Sequence, residues 1–246
     1  MRITLLFLAA FAAFAQQQPA PPSVPYTLQP MYQLVNDYGN QRRYAGDNAK
    51  LAPPASGEDR VVFMGDSITD AWGRNAFSTT APFFPGKPYV NRGISGQVTA
   101  QMLLRFFPDV IALHPKAVVF LAGTNDIGGN IGPVTDRSIQ ENMMAMVDMA
   151  RAHNIKIVLG SVLPVCDYHR PQTAQRPPER ILAMNRWFKE YAADIHAVYL
   201  DYFSATVDDK GFFKAELTND GLHPNAAGYA VMAPLAEKAI AQALGR

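Results

Sequence analysis

The sequence predicts an α/β protein, an open parallel sheet of about five strands with helices on both faces. Three observations carry the prediction. Five short apolar runs recur along the chain, at Val61–Met64, Tyr89–Asn91, Ala117–Ala122, Ile155–Leu163 and Ala197–Asp201. These runs carry apolar residues on both faces instead of alternating with polar ones, which marks strands buried on both sides of a sheet. Between them lie segments whose apolar residues recur at helical spacing, and strand-helix alternation builds a parallel sheet.

The chain opens on a targeting signal. Arg2 precedes the apolar run Ile3–Phe14, and Ala13-Phe14-Ala15 is an A-x-A cleavage site followed by Gln16-Gln17-Gln18. Residues 1–15 therefore read as a secretory signal peptide. The run is well short of the ~20 residues that span a bilayer, and no second run approaches that length. Stable membrane insertion is not expected, and the protein should be exported to the periplasm or beyond. There is no cysteine near the cleavage site, which speaks against a lipid-anchored N-terminus.

Residues 16–54 form a Pro- and Gln-rich tether and leading segment, with a leading helix expected over Met31–Asn48. The strand-helix pattern occupies residues 55–246. Its first strand, Val61–Met64, ends at Gly65, and its third, Ala117–Ala122, ends at Gly123. Helices are expected over Asp136–His153, Ile181–Ala193 and Asn225–Leu244, where apolar residues repeat every three or four positions. The methionines of the first read as core filler.

Composition narrows the function. The 246 residues are 48% hydrophobic and 17% charged, with 22 basic and 21 acidic side chains. That excludes wholesale disorder and leaves no basic stripe for nucleic acid. Cys166 is the one cysteine; it cannot pair within the chain and reads as a small buried hydrophobe.

In open parallel sheets the ligand site lies beyond the carboxyl ends of the strands. The residues that follow the strands here are the reactive ones: Gly65-Asp66-Ser67, Arg92-Gly93-Ile94-Ser95-Gly96 and Gly123-Thr124-Asn125-Asp126. Asp220-Gly221-Leu222-His223-Pro224 precedes the last helix. Together they supply the groups that acyl transfer requires. Ser67, at a strand-to-helix turn, is the candidate nucleophile, whose hydroxyl needs a base to take its proton. His223 is the candidate base, and Asp220 would fix its tautomer and stabilise the imidazolium. Pro224 suits the first turn of the final helix, where its missing N–H costs nothing. Backbone N–H groups of Ser67 and Gly93 and the side-chain amide of Asn125 would bind the tetrahedral oxyanion. Each such donor is typically worth ~3–4 kcal/mol in the transition state.

These blocks, from about Val61 to Gly228, resemble the SGNH/GDSL hydrolases, the GDSL-like lipases or acylhydrolases. The first block resembles Gly65-Asp66-Ser67-Ile68, with Ile68 where the family name has Leu. The second is carried by Gly93, the third by Gly123, Asn125 and Asp126, and the last by Asp220 and His223. The resemblance implies a flavodoxin-like three-layer α/β/α sandwich, a serine-acyl intermediate, and ester or thioester hydrolysis without metal or cofactor.

Other residues have blander readings. Ser95 is a weaker nucleophile, since the Gly-x-Ser-x-Gly elbow is absent. Asp66 and Asp126 read first as turn-fixing acceptors, although Asp66 is also a candidate substrate contact. With Asp70 they do not form a metal-ligand spacing. His114, His153 and His196 lie away from strand ends. Gly128–Gly132 is a pliable loop beside Asn125, without the Lys-Ser/Thr of a phosphate cradle. Trp72 reads equally as pocket wall or core. The segment Val165–Glu179, with Tyr168, His169 and Arg170, follows the fourth strand and is a candidate substrate wall.

A secreted serine esterase acting on short-chain, especially acetyl, esters of small molecules or carbohydrates is the reading that follows. Acyl transfer to a sugar, or carbohydrate binding at the same site, is the alternative.

Overall fold

A computed structural model of the chain describes residues 29–74 and 81–246. The expected signal peptide, residues 1–15, and most of the expected tether lie outside the described residues. Strands β1 (Val61–Gly65), β2 (Tyr89–Gly93), β3 (Ala117–Leu121), β4 (Lys156–Gly160) and β5 (Val198–Leu200) form one parallel sheet in the order β2-β1-β3-β4-β5. The central strands β1 and β3 are buried at every residue, while the edge strands β2 and β5 are only half covered. This is the α/β/α sandwich that the unbroken apolar runs predict.

Alternate residues of β1 and β3 feed two separate cores. Val62, Met64, Val118 and Phe120 face one side. They meet Met102 and Phe106 of helix α4 (Thr99–Asp109), Met143 and Met146 of α6 (Asp136–Ala152), and Met184 and Phe188 of α7 (Pro178–Asp194). Val61, Phe63, Val119 and Leu121 face the other side, against Tyr229, Met232, Ala236 and Ile240 of α9 (Ala226–Ala243). Burying each such side chain stabilises the fold by about 1.5–3 kcal/mol. The methionines of α6 are core filler, as their spacing predicts.

The expected helices over Asp136–His153, Ile181–Ala193 and Asn225–Leu244 form within a few residues of those bounds. Three features differ from expectation. The leading segment is not one helix: α1 (Gln29–Asn36) and α2 (Ala45–Lys50) are separated by a turn in which Asn40 takes φ 51°. The break lets Tyr44 bury itself and donate its hydroxyl to Gly93 O at 2.5 Å. Helix α4 was not expected, because Pro108 sits in its last turn and Arg105 occupies a core position. Short helices follow three strand ends: α3 (Ser67–Ala71), α5 (Thr124–Ile127) and α8 (Tyr202–Thr206).

Among the described residues no helix is long and apolar enough to cross a membrane. Cys166 is fully buried.

Candidate active site

Ser67 is the first residue of α3, directly beyond the end of β1. Asp66 caps that helix, its Oδ1 accepting from Ile68 N at 2.9 Å. The cap holds the turn that carries the Ser67 hydroxyl off the sheet edge. The Ser67 N–H lies in the first turn and has no intrahelical partner.

Far along the sequence, Thr218 and Pro224 form an antiparallel bridge that closes a tight turn. Within it, Asp220 Oδ1 accepts from the backbone N–H groups of Leu222 (2.9 Å) and His223 (2.8 Å). Asp220 Oδ2 lies 2.7 Å from His223 Nδ1. His223 Nε2 lies 2.9 Å from Ser67 Oγ. Burial works against ionisation of Asp220, but the hydrogen bonds from His223 and Leu222 win and hold its carboxyl well below the usual carboxylate range. An ionised Asp220 places the imidazole proton on Nδ1 and leaves the Nε2 lone pair facing the serine hydroxyl. Pro224 does not sit in the first turn of the final helix as expected. The helix starts at Ala226, capped by Asn225, whose side chain accepts from Gly228 N. It is the bridge to Thr218, not the helix, that fixes where His223 emerges.

The oxyanion side departs from expectation at one residue. The Gly93 N–H is already committed, donating to Asn91 Oδ1 at 2.9 Å. A Cβ at Gly93 would come within 2.1 Å of Asp70 N, so the glycine serves close packing of β2 against α3. Gly96, three residues on, is exposed, takes φ 80°, and its N–H has no acceptor among the described residues. Its neighbours tie it to both other donors. Ser95 binds Asp70 of α3 through its hydroxyl (2.7 Å), and Asn130 Nδ2 donates to Gly96 O (3.2 Å). Asn125 is buried in α5, with one amide hydrogen on Gln97 O at 3.0 Å. Its second amide hydrogen remains for a ligand. The signal for Gly96 was present in the sequence as a Ser-Gly pair at a turn, but spacing alone does not separate it from Gly93.

The remaining candidates sort by what they touch. Asp66 is 1% exposed. Its Oδ2 has no hydrogen-bond partner, and burial pushes the carboxyl up to about 6. It is a helix cap, not a substrate contact. Trp72 is a core residue: 2% exposed, it donates from Nε1 to Pro82 O and lies among Phe63, Phe83, Phe84 and Tyr229. Asp126 caps α4, accepting from Thr99 N and Thr99 Oγ1. Ser95 is held by Asp70. His114, His153 and His196 are exposed residues at helix ends.

The Val165–Glu179 segment lies beside the triad through two bonds, Cys166 N to Gly221 O and Gln172 Nε2 to Asp220 O. Two of the expected wall residues, Tyr168 and His169, are engaged elsewhere. The Tyr168 hydroxyl donates to Asp208 Oδ2 at 2.7 Å, which pushes the phenol up to about 12. His169 Nε2 lies 3.1 Å from Ala215 O, and Arg170 is exposed. Arg176 is the buried cation of the segment, its guanidinium against Gly128. Among the described residues no group of three or more His, Cys, Asp or Glu side chains is arranged to hold a metal ion.

Comparison with known proteins gives the family of the chain. A Geobacillus stearothermophilus acetylxylan esterase is 25% identical over 205 residues, covering 72% of this chain and 91% of that one. The uncharacterised Bacillus subtilis lipoprotein YqeF is 29% identical over 114 residues, 42% of this chain, and the match spans only 46% of its length. A GDSL-like lipase of Bacteroides thetaiotaomicron, known from its crystal structure, is 37% identical with a TM-score of 0.75, covering 84% of this chain and all of that one. The sequence profile of the GDSL-like lipase/acylhydrolase family matches residues 63–231. The chain belongs to the GDSL-like lipase/acylhydrolase family of carboxylic ester hydrolases.

Proposed function

We propose that the protein is an exported serine esterase that removes short acyl groups, acetyl above all, from carbohydrate or other small esters. One observation carries the reading: a continuous relay from Ser67 Oγ through His223 (2.9 Å) to Asp220 (2.7 Å), at the carboxyl end of the sheet.

In this reading Ser67 Oγ attacks the ester carbonyl carbon while His223 Nε2 takes the hydroxyl proton. The negative charge that forms on the carbonyl oxygen meets the N–H groups of Ser67 and Gly96 and the free amide hydrogen of Asn125. Collapse breaks the ester C–O bond, and His223 returns its proton to the leaving alcohol. Water then attacks the acyl-serine, His223 again takes a proton, and the carboxylic acid departs as Ser67 recovers its hydroxyl. Ala13-Phe14-Ala15 supports export, and the acetylxylan esterase relative supports an acetylated carbohydrate substrate.

The test is turnover of p-nitrophenyl acetate, butyrate and octanoate and of acetylated xylo-oligosaccharides by wild type and Ser67→Ala. Wild type should release acetate fastest, and Ser67→Ala should lose roughly 10,000-fold or more in kcat. Comparable release by the variant would overturn the reading, and release that depends on an added sugar acceptor would replace hydrolysis with acyl transfer.

A further inference from the structure

Arg105 is among the largest fully buried side chains of the described residues, and it forms an ion pair with Asp109 in which both side chains are 0% exposed. Its hydrogen bonds are distributed with a pattern. Nη2 donates to Gly65 O at 3.0 Å, two residues before Ser67. Nη1 donates to Arg92 O at 2.7 Å, at the carboxyl end of β2 just before the Gly93–Gly96 turn. Nε donates to Gln97 Oε1 at 2.5 Å, and Gln97 O in turn holds the Asn125 amide. One guanidinium thus binds the Ser67 and Gly96 segments directly and reaches the Asn125 amide through Gln97.

We propose that Arg105 is a positioning residue for the oxyanion hole, a clamp that sets the spacing of the Ser67, Gly96 and Asn125 segments. The inference rests on the esterase reading above. Removing two charges from water costs several kcal/mol per ion, and a buried pair often stabilises a fold no better than apolar residues of the same volume. The ion pair is therefore weak evidence for a stabilising role, and its bond pattern indicates a geometric one. A planar fork with five fixed donors reaches three separate acceptors at once, which a lysine ammonium on a flexible stem does not. Asp109 anchors the fork from behind, and it also accepts from Asn48 of α2.

The test is Arg105→Lys, which keeps the charge and the pairing with Asp109 but loses the fork. With p-nitrophenyl acetate, well below the thermal midpoint, kcat should fall ~10- to ~100-fold with KM within about twofold, since a donor misplaced by an ångström costs on that order. The pH at which kcat/KM is half-maximal should stay at its wild-type value, because the relay of His223 and Asp220 is untouched. A purely structural role would lower the thermal midpoint and leave kcat of the folded enzyme unchanged; that result overturns the proposal. If Arg105→Lys does not fold, Gln97→Met removes one arm of the clamp while Arg105 stays paired. It should cost ~5- to ~20-fold in kcat at constant KM, and an unchanged kcat again overturns the clamp. Should Ser67→Ala remain active, the esterase reading itself falls. Should Ser67→Ala be dead while both clamp variants turn over at the wild-type rate, only the clamp falls.

Discussion

The two halves of the site are built in different ways. On the relay side, Asp220 and His223 are three residues apart, and one turn closed by Thr218 and Pro224 makes most of their bonds among the described residues. The contact of Ser67 Oγ with His223 Nε2 joins that turn to the nucleophile candidate across 156 positions. On the oxyanion side almost nothing is local. Gln97 binds Gly39, Arg105 and Asn125; Tyr44 binds Gly93; Arg105 binds Gly65 and Arg92. The leading segment, expected from the sequence only as a helix ahead of the sheet, supplies two of these partners, Gly39 and Tyr44. Chemistry that depends on one side chain's protonation state is encoded in a short motif. Chemistry that depends on aiming amide hydrogens is encoded in the packing of the whole sheet edge.

The sharpest way to break the relay side is Asp220→Asn. The amide keeps an oxygen for the N–H groups of Leu222 and His223, so the turn survives, but it turns a donor toward His223 Nδ1. The imidazole then carries its proton on Nε2 and cannot accept from Ser67. A fall of about 1,000- to 10,000-fold in kcat is expected, with the thermal midpoint little changed. A loss below tenfold would mean that the relay drawn from these distances is not the working one.

On the oxyanion side the expected loss is smaller, because other donors remain. Asn125→Ala removes one hydrogen bond to the transition state and should lower kcat by about 100- to 1,000-fold while KM stays near wild type. It also leaves Gln97 O without its donor, so the effect should exceed that of Gln97→Met. If the two variants behave alike, Asn125 acts by holding the loop and not by contacting the oxyanion.

The same division explains what was legible in the sequence. The central strands β1 and β3 stand out because a strand buried on both faces is apolar at every position, while the half-covered edge strands β2 and β5 leave a weaker signal. The Ser67, Asp220 and His223 triad stands out because its residues follow a strand or precede a helix at fixed short spacing. Gly93 against Gly96 was not separable, since both are glycines in one turn and only the bond to Asn91 Oδ1 decides which N–H is spent. Arg105 was invisible because helix α4 places a cation where periodicity calls for an apolar residue, and two of its acceptors, Gly65 O and Arg92 O, are main-chain carbonyls, which leave no trace in a sequence. Tyr168 and His169 were read as a substrate wall from their position after β4. Their side chains are engaged with Asp208 and Ala215, partners roughly 40 residues away that no local pattern could nominate.

The smallest effect separates two carboxylates of the same site by stability instead of rate. Asp66 is pushed up to about 6 by burial, with Oδ2 unpartnered among the described residues, and it lines a small cavity with Ile68, Leu121, Thr124, Val162 and Leu163. Asp220 is pushed down. In the unfolded chain both titrate near pH 3.9. Between about pH 4 and 6 the folded protein therefore keeps a proton on Asp66 that the unfolded chain has released. Stability contributed there falls as pH rises, by at most about 3 kcal/mol, and is level above about pH 7. Asp220 has the opposite sign: its contribution is present in full above the unfolded value and is lost as pH falls below it. Asp66→Asn keeps the cap to Ile68 N and removes the titration. Urea unfolding at pH 4.5, 6 and 7.5 should show the variant gaining on wild type with each step upward, whatever constant offset the new amide brings. Parallel stability curves for the two proteins would show that the buried carboxyl ionises without cost, and that the environments of Asp66 and Asp220 differ less than their hydrogen bonds indicate.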